Sequence, residues 1–219
     1  MVLLALLLAV GACSSPDEAA TPTVTQPNFP SEEELASFAA TAVASQSELV
    51  SGMEDSGKAI DPPRAIPDFS LTDQEGTTFG SANLAGKVAL ISFAYTHCPD
   101  VCPALFGQMV QLQRELGDRI GNDVELVIIT VDPERDTVER LKQRTDEMGG
   151  KWHFLTGAQA DVEAVWAGFS VQVLKQGDTV GHTGVTYMVT PSGEMTIRYP
   201  AFATADHFIK GIESTEAGS

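Results

Sequence analysis

Residues 87–103 read KVALISFAYTHCPDVCP, and this stretch decides the fold. Its first half, from Lys87 to Tyr95, is a continuous apolar run. That pattern suits a strand buried on both faces of a sheet rather than on one. The second half turns away from strand: Pro99 and Pro103 cannot sit in a central strand, whereas proline is harmless in the first turn of a helix. A helix therefore starts inside the motif, and Leu105, Met109, Leu112 and Leu116 give it one apolar face over 105–116. Cys98 and Cys102 then stand at a strand-to-helix junction, where the oriented backbone dipoles favour thiolate over thiol. Residues four apart in one helical turn lie about 5–6 Å apart on the same face. That separation serves two chemistries, closing a disulfide or clamping one soft metal ion. A purely structural bridge is the weaker alternative, because three intervening residues restrict the unfolded chain little.

Outward from this stretch, strands and helices alternate. Downstream, VELVIITV at 124–131 is a second buried strand, and 137–148 a charged helix ended by Gly149-Gly150. A short strand over 152–155 and a short helix over 161–169 follow. Two strands, 180–189 and 194–199, are joined by Pro191-Ser192-Gly193, and a last helix covers 204–212. Upstream, Asp73-Gln74-Glu75-Gly76 joins 69–71 to 77–79 as a hairpin. Central βαβ units followed by a hairpin and helix predict an α/β sandwich of thioredoxin-like fold. A central mixed sheet is flanked by helices over 66–219 and preceded by an N-terminal extension.

The extension divides in three. Residues 1–12, MVLLALLLAVGA, are too short to span a bilayer and resemble the apolar part of a secretory signal. Their end, Val10-Gly11-Ala12-Cys13, resembles a bacterial lipobox, which makes Cys13 the lipidation site and explains the odd third cysteine. Residues 13–30, rich in Thr, Pro, Ser and Ala, read as a lipidated flexible tether, and 31–65 as a helical spacer and linker opened by Ser31-Glu32-Glu33-Glu34. This places the protein on the extracytoplasmic face of a bacterial membrane, held through the anchor. The formal charge of −17 argues against nucleic acid and against charge-driven binding to anionic lipid.

Three spaced motifs carry a resemblance. Tyr95-Thr96-His97-Cys98-Pro99-Asp100-Val101-Cys102-Pro103, Val131-Asp132-Pro133-Glu134-Arg135-Asp136-Thr137 and His182-Thr183-Gly184-Val185-Thr186-Tyr187-Met188-Val189 together resemble the SCO/SenC family, in the family's order, over roughly 67–212. The resemblance implies a copper site made by Cys98, Cys102 and His182, holding one Cu(I) or Cu(II) per chain. Two thiolates and an imidazole independently suit soft copper, while a structural zinc site usually takes four protein ligands. His97, Asp100, Asp132 and Arg135 lie near the motifs and can tune the site or serve ordinary turns and ion pairs. His153 and His207 read as structural or exposed, and Met109 and Met188 as core.

The resemblance further implies a metallochaperone that delivers copper to the copper A centre of cytochrome c oxidase subunit II or a related copper A protein. Its own copper donor or thiol reductant would be a further partner. The alternative is a thiol-disulfide reductase that keeps the copper A cysteines reduced, with Cys98 and Cys102 as a redox-active dithiol. An ordinary thioredoxin would have two residues between its cysteines, not three. A peroxiredoxin would place Thr or Ser where Tyr95 stands.

Overall fold

The computed structural model describes residues 57–98 and 102–217. The expected signal, tether, Cys13 anchor and first helix lie outside these residues. Six strands form the main sheet: β1 (Lys58–Ala65), β4 (Val88–Ala94), β5 (Val124–Thr130), β6 (His153–Leu155), β9 (Val185–Val189) and β10 (Glu194–Pro200), in the order β1-β10-β9-β4-β5-β6. β4, β5 and β6 run parallel, and β9, β10 and β1 continue the sheet antiparallel. Every residue of β4, β5 and β9 is buried, as their largely apolar composition favours, with Ser92, Glu125, Thr130 and Thr186 the polar exceptions. Two small hairpins stand apart from this sheet: β2 (Ser70–Thr72) with β3 (Thr78–Gly80), and β7 (Val173–Gln176) with β8 (Thr179–His182).

Among the described residues, four α-helices flank the sheet: α1 (Cys102–Leu116), α2 (Val138–Met148), α3 (Gln159–Gly168) and α4 (Ala205–Ala217). The crossovers from β4 to β5 and from β5 to β6 put α1 and α2 on one face. There Arg144 of α2 lies over the Phe106 ring of α1, and Ala205 N at the start of α4 donates to Gln108 Oε1 at 2.8 Å. Phe106 also meets Phe154, which shares its side of the sheet with Ile128 and Ser92. Phe93 therefore points the other way. It packs edge-on against Phe169, so the end of α3 covers the opposite face. The thioredoxin-like sandwich expected from the order of elements is the observed fold. Among the described residues, no helix is long and apolar enough to cross a membrane.

Three boundaries differ from expectation. Residues 58–65, expected as linker, form the edge strand β1. Pro62 and Pro63 are tolerated because the register with β10 shifts between Ala59 and Arg64, so no ladder bond is asked of them. The buried face of α1 is centred on Phe106, Met109, Leu112 and Leu116, with Leu105 only partly buried. The single strand expected over 180–189 is two, β8 and β9, broken at Thr183-Gly184. The break follows from a close approach: a Cβ on Gly184 would stand 2.6 Å from Ala201 Cβ. His182 therefore ends a separate hairpin rather than lying within the main sheet.

Candidate metal centre

The dithiol sits where β4 gives way to α1. Cys102 is the first residue of α1 and Pro103 the second, as the proline placement predicted. Cys98 precedes the helix, and its Sγ accepts the Cys102 N–H at 3.4 Å. The sulfur thus takes the place of a capping acceptor and collects the partial positive charge of the helix start. The two cysteines are not bridged; Cys98 is partly exposed and Cys102 is 2% exposed. Burial pushes the Cys102 thiol up to about 12, with its hydrogen bond to Cys98 adding to the rise. The expectation that the helix start would favour thiolate at both positions therefore fails at Cys102, because desolvation outweighs the dipole there.

Behind the dithiol lies a hub of buried polar groups. Asp136 is fully buried and accepts from Thr96 Oγ1 at 2.6 Å, from Thr130 Oγ1 at 2.6 Å and from the Thr96 N–H. Burial raises its pKa, against the opposing pull of these donors. Thr96 is thereby fixed two residues before Cys98, and Arg140 Nε donates to the same hydroxyl at 3.3 Å. His97 lies half-exposed with Nδ1 3.0 Å from Thr96 Oγ1. Asp132 and Arg135 form an ion pair within their own turn, the ordinary role weighed for them. Met109 and Met188 are core residues.

His182 approaches from the end of β8. Its Nδ1 lies 3.1 Å from the Thr183 carbonyl oxygen, which can only accept, so Nδ1 carries the proton. Nε2 is left with a bare lone pair, and that atom is buried with no hydrogen-bond partner. Burial also lowers the pKa of His182, which favours the neutral imidazole a metal requires. His182 and Cys102 line one small cavity of about 20 Å³, together with Phe93, Leu105 and Ala201. The Tyr95 ring stands edge-on to the imidazole at 6.3 Å. Two pairs are thus assembled, Cys98 with Cys102 and Cys102 with His182. Among the described residues, no three His, Cys, Asp or Glu side chains converge closely enough to hold a metal.

The chain matches the SCO1/SenC family over residues 57–216, most of its length and all three motifs. It belongs to that family. It is similar to the mitochondrial SCO1 homolog 1 of Arabidopsis thaliana, 30% identical over 66% of this chain and 45% of that protein. The chain spans 45–65% of the length of the first curated relatives it matches. Among solved structures, it is similar to Arabidopsis thaliana ScoI with copper bound, at 29% identity and a TM-score of 0.64 over 71% of this chain and 99% of that one. A second, BsSco, is described as a Sco cytochrome c oxidase assembly protein with a disulfide switch. It matches at 28% identity and a TM-score of 0.62 over 72% and 97%.

Three features of the site were not singled out by sequence reasoning: the β7–β8 hairpin, the Asp136 hub and the Tyr95 ring beside His182. The hairpin had a readable signal, since Gly177-Asp178 is a two-residue turn between Val173-Leu174 and Thr179-Val180. Asp136 and Tyr95 had none beyond their motifs, because burial among partners distant in sequence is not written locally.

Proposed function

We propose that this SCO1/SenC protein binds one copper ion through Cys98, Cys102 and His182 and delivers it to the copper A centre of cytochrome c oxidase subunit II. The observation that carries this reading is the buried, unpartnered Nε2 of His182 in the cavity it shares with Cys102. An orphaned buried acceptor costs free energy that an apolar residue would avoid, so its presence favours a ligand. Two sulfurs and one neutral imidazole match the softness of Cu(I), and an added donor or water would accommodate Cu(II). The copper-bound ScoI relative and the membership of BsSco in a family of cytochrome c oxidase assembly proteins support the same reading. Copper held by all three side chains would join the pairs Cys98 with Cys102 and Cys102 with His182 into one set. Delivery would then proceed by exchange, each ligand of this chain giving way to one of the target's.

A second reading, thiol-disulfide reductase for the copper A cysteines, is favoured by the closeness of the two unbridged cysteines, with the Cys102 N–H donated to Cys98 Sγ. In that reaction the dithiol would give up two electrons and two protons and close a disulfide, while the target disulfide would open to two thiols. We also propose that Cys13 is lipidated and holds the protein on the extracytoplasmic face of a bacterial membrane. Cys13→Ser should then move the chain to the soluble fraction, and continued sedimentation with membranes would reject the anchor.

The decisive test of the copper reading is a titration of the reduced full chain with Cu(I) under a competing chelator. The expected stoichiometry is one per chain, abolished in a Cys98→Ser/Cys102→Ser double variant. Equal copper uptake by wild type and double variant would remove the dithiol from the site.

A further inference from the structure

Lys58, Arg198 and Tyr187 stand in one row across three strands, because Arg198 of β10 is the register partner of Lys58 in β1 and of Tyr187 in β9. Residues directly opposite on antiparallel strands share one face of the sheet. That face is the one the end of α3 covers, since Tyr187 is also opposite Ile91, which lies on the same side as Phe93. Arg64 joins the row: with Ile60, Ser170, Tyr187 and Arg198 it lines an open cavity of about 330 Å³. This cavity shares no residue with the one that His182 and Cys102 line. Tyr187 is fixed there by donating its hydroxyl to the Phe169 carbonyl oxygen at 2.8 Å. Ser170, the next residue, is held at a φ of 57°, a left-handed conformation that only glycine adopts without strain.

The cations of this face are unpaired. Among the described residues, none of Lys58, Arg64 and Arg198 forms an ion pair, whereas Lys87, Arg119, Arg135, Lys142, Arg144 and Lys175 each hold a carboxylate. Shortage of partners is not the reason, since 30 Asp and Glu accompany 13 Lys and Arg. Lys58 and Arg198 moreover stand directly opposite each other, and like charges so placed destabilise a strand pair. Such a loss is tolerated where the charges serve something other than folding. The net charge of −17 does not forbid an anion here. At physiological ionic strength fields fade over about 8 Å, so cations at the cavity outweigh carboxylates farther off. From this geometry we infer that the cavity is a binding site for a small organic phosphate, gripped by Arg64 and Arg198. Each guanidinium presents a planar fork of donors that matches two phosphate oxygens, and the Ser170 hydroxyl supplies a further donor. Lys58 adds charge beside them. The space falls within the roughly 300–1,000 Å³ usual for ligand pockets, so an organic group can lie against Ile60 and Tyr187. The site stands apart from the copper reading and does not depend on it.

The test is a calorimetric titration of the full, metal-free chain with glycerol 3-phosphate. Wild type should bind it, and an Arg64→Gln/Arg198→Gln double variant should bind at least about tenfold more weakly. Arg198→Lys keeps the charge but not the fork, and should bind more weakly than wild type by a smaller factor. No binding by wild type, or equal affinity in wild type and double variant, would overturn the site. Succinate binding as tightly as glycerol 3-phosphate would overturn the phosphate assignment. Dihexanoyl phosphatidate presents the same phosphomonoester on acyl chains and identifies the source. Binding about tenfold tighter than glycerol 3-phosphate, and lost in the double variant, assigns a lipid headgroup; equal affinity assigns a soluble ester. Urea unfolding separates lost binding from misfolding. Removing the charge that faces Lys58 should leave Arg198→Gln at least as stable as wild type, and a less stable variant would mean that this arginine serves the fold.

Discussion

Two histidines of this chain, His153 and His182, each end or begin a short strand and each lie partly buried, yet their surroundings are opposite. At the start of β6, His153 stacks on Phe79 with ring centroids 4.1 Å apart. Its Nδ1 lies 3.3 Å from Asp73 and its Nε2 3.6 Å from Glu125, which is itself paired with Lys87 at 2.5 Å. Every polar atom of that ring is answered by the protein. His182 has one nitrogen answered, by a carbonyl in the next residue, and one buried and unanswered. The fold satisfies one imidazole completely and leaves the Nε2 of the other without a partner, in a residue that shares a cavity with Cys102, which sets the two histidines apart without reference to motif. The difference is one of completion: His153 closes a network, whereas His182 leaves one open.

The largest expected effect breaks this comparison most directly. His182→Ala should weaken Cu(I) binding by about a hundredfold or more, as expected for loss of a ligand rather than of its supporting partner. His153→Ala should leave it within about twofold. Competition with a chromophoric Cu(I) chelator reads both, and equal losses in the two variants would erase the distinction. A smaller effect sharpens the same contrast within the dithiol. Cys98 is partly exposed, while Cys102 is buried with its thiol pushed up to about 12. A raised thiol pKa keeps the proton on, so Cys102 is overwhelmingly thiol at pH 8. Iodoacetamide should therefore modify Cys98 at least tenfold faster than Cys102 at that pH. The Cys102 rate should keep rising with pH, with no plateau below about pH 10. Mass spectrometry of the alkylated peptides gives the order, and Cys102 reacting first would contradict the burial described.

The region around β4 was legible because its determinants are local. Seven buried positions in a row, then two prolines four residues apart, define a strand end and a helix start without any knowledge of neighbours. The same holds for the Thr137 cap and left-handed Gly149 that bound α2. What escaped was set by contacts between distant segments. The continuous reading of 180–189 failed because Gly184 must pass Ala201, a constraint written nearly twenty residues away. Residues 58–65 looked like linker because Pro62-Pro63 argues against a strand, and only the irregular pairing with β10 makes room for them. The dipole argument for two thiolates was sound as far as it went, but it could not weigh the desolvation that Phe93, Leu105 and the sheet impose on Cys102. Cys98, Cys102 and His182 were legible as a set only through motif resemblance. Chemistry and geometry alone assemble two overlapping pairs.

The smallest effect is also the one whose sign carries the argument. In metal-free protein the unanswered Nε2 of His182 is a cost, since a buried acceptor has given up water without gaining a partner. His182→Leu replaces it with apolar surface in a cavity already lined by Phe93, Leu105 and Val185. Only the bond to the Thr183 carbonyl is lost, and Thr183 is partly exposed and open to water. The variant should be more stable to urea by about 0.5–1 kcal/mol. His153→Leu should be less stable by about 1–2 kcal/mol, because the buried Asp73 loses its contact with the ring and the stack on Phe79 is lost. Opposite signs from the same substitution would mean that the chain forgoes stability at position 182, which natural selection tolerates where a residue serves something other than folding. Equal destabilisation in both variants would mean that His182 is an ordinary structural residue, and the strongest structural support for a metal at this site would be gone.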